Sequence, residues 1–70
     1  MTDYACVLEP AADGTWSAYV PDLPGVVATG RDPEGAKSRI REAISLHLDE
    51  LDRHGETVRR PRSRAVVVDI

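Results

Sequence analysis

The sequence predicts an α+β domain of order β-β-β-α-β: a four-stranded sheet in strand order 3-2-1-4 with one helix on one face. Three observations lead there. Short strand-forming runs precede residue 30, each stopped by proline or glycine. A capped stripe of apolar residues at helical spacing follows them. A last apolar run occupies residues 65–70. A long helix after a meander of hairpins suits a crossover, which sets the last strand parallel to the first and beside it.

Residues 4–9, Tyr-Ala-Cys-Val-Leu-Glu, form the first expected strand. Tyr4, Cys6 and Leu8 share one face, Ala5 and Val7 the other, so both faces are apolar and the strand reads as central. Pro10 ends it, and Asp13-Gly14 is the strongest hairpin signal in the chain. Residues 16–20 return, with Trp16, Ala18 and Val20 on one side and Ser17 and Tyr19 on the other. Pro21 stops this strand because it has no N–H for a ladder. Asp22-Leu23-Pro24-Gly25 makes a rigid corner: Leu23 is restricted by the proline after it, and Gly25 is free to take positive φ. Residues 26–29 make a third strand, closed by Gly30.

Asp32 is then the expected N-cap, with Pro33 at the first helical position. The helix should run from residue 33 to about 54, with Gly55 as its C-terminal glycine. Ala36, Ile40, Ala43, Ile44, His47 and Leu51 fall on one stripe, with Leu48 at its edge. Gly35 in the first turn costs roughly 1 kcal/mol relative to alanine, which predicts fraying there. Residues 56–63 are a basic connector containing Pro61, before the last strand.

Seventy residues hold one domain, 1–70, with a small interior. Cys6 is the only cysteine, so no internal disulfide forms, and a reducing compartment is expected. No run approaches the roughly 18 apolar residues of a membrane span, and the N-terminus lacks a signal-peptide pattern. The expected location is the cytoplasm. One helix covers one sheet face, so the other face, still apolar in part, favours self-association as a homodimer or higher oligomer. The formal charge of −3 argues against nucleic acid as the main partner. Acids dominate residues 1–34 and suit a basic protein partner, whereas Arg59, Arg60, Arg62 and Arg64 cluster near the end.

Groups with chemistry are few. His47 and His54 stand about 10 Å apart along the helix, too far for a zinc pair on one helix. The serines lack a nucleophile elbow, and Cys6 reads as a small core residue. The strand order is also that of the start of an RNase H-type fold, which would need converging carboxylates. Asp3, Glu9, Glu42 and Asp69 do not converge on this layout. Gly30-Arg31-Asp32-Pro33 has an acid and a proline where a phosphate loop needs free N–H donors. No catalytic residue, metal site or cofactor is expected.

Tyr4 with its strand, Asp13-Gly14-Thr15-Trp16, Val20-Pro21-Asp22-Leu23-Pro24-Gly25, Gly30, Glu34-Gly35-Ala36 and Glu42-Ala43-Ile44 follow one another along the chain. In that order they resemble the motifs of the HicB-like antitoxins. The resemblance spans nearly the whole chain and implies a partial RNase H-like fold without catalytic residues. It also implies a partner: a HicA-type toxin, small, basic and mRNA-cleaving, whose active surface the antitoxin covers. Pro21, Asp22, Leu23, Pro24 and Gly25 are the candidate contacts. Gly35 stands where the family often has an acid. The chain reaches Ile70 without the DNA-binding domain many members carry, so autorepression and direct DNA binding are not expected. Two alternatives stand beside the antitoxin: an orphan adaptor of the same fold, and a weak nucleic-acid binder using the arginines between Arg59 and Arg64.

Overall fold

The structure, a computed structural model, describes residues 3–58 and 60–70. Its elements are β1 (Val7–Pro10), β2 (Trp16–Tyr19), β3 (Val27–Gly30) and α1 (Pro33–Arg53). The strands form one antiparallel sheet in order β1-β2-β3. Between β1 and β2, Gly14 takes φ 89° and Asp13 Oδ1 accepts from the Thr15 N–H (3.0 Å) and hydroxyl (2.6 Å), closing the turn locally.

Alternation along the strands separates two faces. Trp16, Ala18 and Ala28 turn towards the helix, with Leu8 opposite Ala18. On the outer face Val7, Tyr19 and Val27 stand opposite one another in a single cross-strand row. Tyr19 and Val27 in that row are exposed.

Helix α1 starts where its local chemistry dictates. Asp32 is extended, its Oδ1 accepts from the Gly35 N–H at 2.7 Å, and Pro33 takes the first helical position. A side chain at Gly35 would bring its Cβ to 3.1 Å from Asp32 Oδ1, so the glycine leaves room for the cap. At the other end Gly55 has φ 67°; its N–H reaches Asp52 O and the Glu56 N–H reaches Leu51 O. That paired pattern is the Schellman arrangement. The helix buries Ala36 and Ile40, with Ala43, Ile44, His47, Leu48 and Leu51 half-buried along the same stripe.

The fully buried core is Ala18, Val20, Leu23, Val26, Ala36 and Ile40. Half of it comes from the seven residues that join β2 to β3. Gly30 lets the helix approach the sheet: a Cβ there would lie 2.9 Å from the Ala36 Cα and closer still to the Ala36 backbone nitrogen.

The four-stranded sheet in order 3-2-1-4 is not what forms. The sheet has three strands, and residues 65–70 make no strand; Val67 is completely exposed, and Val66, Val68 and Ile70 are open to solvent. The physical reason lies just upstream. Residues 62 and 63 are tied to Asp22, in the turn between β2 and β3, so the chain end leaves from the wrong side of β2 to lie along β1. Strand β1 is therefore an edge rather than a central strand. Strand propensity in a Val-Val-Val run does not by itself supply a partner.

Candidate functional site

The corner between β2 and β3 is built from two overlapping turns. Leu23 N–H donates to Val20 O (3.1 Å), and Val26 N–H donates to Leu23 O (3.1 Å). In the second turn Pro24 holds the position where proline presets φ, and Gly25 follows at φ 88°, the type II pattern. Val20 N–H also reaches Val26 O at 3.3 Å, closing the base. With Val20, Leu23 and Val26 anchored in the core, Pro21, Pro24 and Gly25 are left outside on a stiff support.

The five residues singled out from the sequence therefore divide. Leu23, 3% exposed, faces the core and offers no side chain to a partner. Pro21, Pro24 and Gly25 are exposed together, and Asp22 is half-buried beneath the connector. Asp22 Oδ2 accepts from the N–H of Arg62 (2.8 Å) and of Ser63 (2.9 Å), and Oδ1 accepts from the Ser63 hydroxyl at 2.9 Å. These donors hold the Asp22 carboxyl below its ordinary range, the Ser63 N–H most, then the Arg62 N–H, with the hydroxyl and the Arg62 charge adding to them. Pro21, Asp22 and Pro24 thus share a shallow recess with Arg60, Arg62 and Ser63. Arg59 lies outside the described residues.

Sequence reasoning missed this clamp. One signal for it was present. An aspartate in a turn ordinarily bonds the N–H two residues on, as Asp13 does with Thr15. Two residues beyond Asp22 stands Pro24, which has no N–H, so the carboxylate must find its donors elsewhere. Nothing in the spacing says that they lie forty positions away.

A second feature lies on the opposite flank. Helix α1 packs over β3 and β2 more than over β1. Between the helix and β1 runs an open groove of about 660 Å³, lined by Tyr4, Cys6 and Leu8 on the β1 side and by Ile40, Ile44 and Leu48 on the helix, with Asp3, Glu34, Lys37 and Arg41 adding charge to it. Burial pushes the Cys6 thiol up, which disfavours the reactive thiolate.

The two histidines stand in separate surroundings. Half-buried His47 lies beside Leu51 and the corner residues Leu23 and Pro24. His54 caps the helix, its Nε2 3.2 Å from Glu50 Oε2. Among the described residues, no three His, Cys, Asp or Glu side chains are grouped to hold a metal ion, and no helix is long and apolar enough to cross a membrane.

Comparison with known proteins gives a consistent set of matches. The family model described as "HicB_like antitoxin of bacterial toxin-antitoxin system" matches residues 4–69. A relative from Thermoplasma acidophilum, the UPF0150 protein Ta0767, is 29% identical over 65 residues, 93% of this chain and 94% of its own. Among solved structures, the N-terminal domain of the Burkholderia pseudomallei antitoxin HicB superposes with a TM-score of 0.77 at 30% identity. That match covers 84% of this chain and 69% of the other.

Proposed function

Since the chain belongs to the HicB-like antitoxin family of bacterial toxin–antitoxin systems, we propose that it binds a small basic HicA-type mRNA-cleaving toxin and occludes its active surface. The observation that carries this reading is the family match from residue 4 to residue 69, which includes the corner and the whole helix. The mechanism asks for no catalytic group. It asks for a rigid, complementary surface that leaves no room for RNA in the toxin's site.

Pro21, Asp22, Pro24 and Gly25 supply such a surface, with Leu23 shaping it from inside. Their backbone is fixed before contact, so little conformational entropy is lost on binding. The acids of residues 1–34 give the same half of the chain a charge that attracts a basic partner and speeds the encounter. The cytoplasm, where mRNA is translated, is where such an antitoxin acts, and it acts as a homo-oligomer.

Co-expression with the product of the adjacent small open reading frame tests the reading. That product alone should arrest growth, and growth should return when this chain is made with it. Persistent arrest in the presence of folded, abundant chain sinks the proposal. The adaptor alternative predicts no toxic neighbour at all.

A further inference from the structure

The formal charge of −3 belongs to the whole surface, and its distribution is uneven. Between Glu56 and Asp69 the chain carries four arginines and no acid. The Asp22 carboxylate beside them is occupied by other donors: the Arg62 and Ser63 N–H groups and the Ser63 hydroxyl. The Arg62 charge is the smallest influence on that carboxyl. Among the described residues, the ion pairs are those of Glu50 with Arg53 and His54, so the exposed Arg60, Arg62 and Arg64 stand without a carboxylate partner.

The clamp also decides where these cations stand. The backbone at residues 62 and 63 is held on the corner, Pro61 is half-buried, and Arg60 and Arg62 both border the recess with Pro21 and Pro24. Residues two apart have Cα atoms within about 7 Å of each other, and Arg64 continues the interval. A short repeated spacing of guanidiniums, on a backbone ordered before contact, suits a polymer whose anions also recur at a fixed interval. Phosphodiesters do so; the carboxylates of an acidic protein do not. Each planar guanidinium takes two phosphate oxygens at once. A single strand can lay its phosphates along a straight row, whereas those of a duplex turn with its helix. The recess has no aromatic side chain for a base to stack on, so contact is with the backbone alone.

We propose that Arg60, Arg62 and Arg64, mounted on the Asp22 clamp, bind the phosphodiester backbone of single-stranded nucleic acid without regard to base sequence. This binding does not depend on the antitoxin reading and is tested without a toxin.

The full chain, isotopically labelled, is titrated at low salt with a mixed-sequence RNA strand of about twelve nucleotides. Amide resonances should move at Asp22, Arg60, Arg62, Ser63 and Arg64, and hold at Lys37, Arg39 and Arg41 on the helix. The logarithm of the affinity should fall against that of the salt concentration with a slope of about −2, roughly 0.7 for each phosphate met by an arginine. The DNA strand of the same sequence should bind within about threefold of the RNA, because phosphate contacts do not read the sugar. Arg60→Gln, Arg62→Gln and Arg64→Gln combined should weaken binding by about tenfold or more, with the circular dichroism of the native chain. Asp22→Ala separates orientation from charge. Losing an acid beside the row would by itself tighten binding; losing the clamp should weaken it, by about threefold. Any of these results overturns the proposal: shifts centred on the helix cations, a slope near zero, clear discrimination of RNA from DNA, Asp22→Ala binding as tightly as the native chain or more so, tighter binding of the matching duplex, or equal binding of a polyglutamate peptide of the same charge.

Discussion

Gly30 and Asp22 carry more of this molecule than their size suggests. At Gly30 an added methyl meets helix backbone, which cannot move aside as a flexible side chain could. Gly30→Ala should therefore cost about 1–3 kcal/mol through overpacking, read as a lowered urea midpoint with the slope unchanged. Gly25→Ala has open space but a φ of 88°, and should cost about 1–2 kcal/mol from backbone strain alone. For Asp22, the depressed folded pKa sets the sign of a pH effect. Its contribution to stability is fully present above the unfolded pKa, about 3.9, and is lost as pH falls through the folded value. The amide resonances of Arg62 and Ser63 should hold steady from neutral pH down to about pH 5 and move only in stronger acid. In Asp22→Asn the same two amides should exchange faster with deuterium at every pH.

Among the elements, α1 depends on its ends. Asp32→Ala removes the acceptor for the Gly35 N–H and should cost about 1 kcal/mol, measured by thermal unfolding. The helix was legible in the sequence because its signals are local: Asp32, Pro33 and Gly55 act on their own neighbours, and the Ala36–Ile40 stripe needs only the helical period. Strands β2 and β3 were legible for the same reason, since Asp13-Gly14 and the Pro21–Gly25 turn chemistry bound them; β1 runs over Val7–Pro10 at the sheet edge, where the sequence favoured a central strand over residues 4–9. Residues 65–70 were not legible. Their sequence states a preference for extended backbone, but pairing requires a partner edge, and the clamp that decides where the segment goes joins residues forty positions apart. Leu23 was legible as a turn residue and not as core, because turn chemistry describes the backbone and says nothing about which way a side chain points.

For the molecule as a whole, charge and size set the expectations. If acids in the first half steer a basic toxin, raising the salt from low to several hundred millimolar should slow association by roughly tenfold or more while changing dissociation little. Stopped-flow mixing with the purified partner measures both rates. The corner carries a consequence for variation among relatives. Its exposed residues are mounted on Val20, Leu23 and Val26, half of the buried core, so a substitution that reshapes the outside also disturbs the inside. Most antibody-like recognition loops drift freely because their scaffold ignores them; this corner has no such freedom. If the corner meets a partner, differences in specificity should therefore arise around it, in the flanking acids and in the connector that rests on Asp22, and an alignment of relatives should show the bend varying less than those flanks.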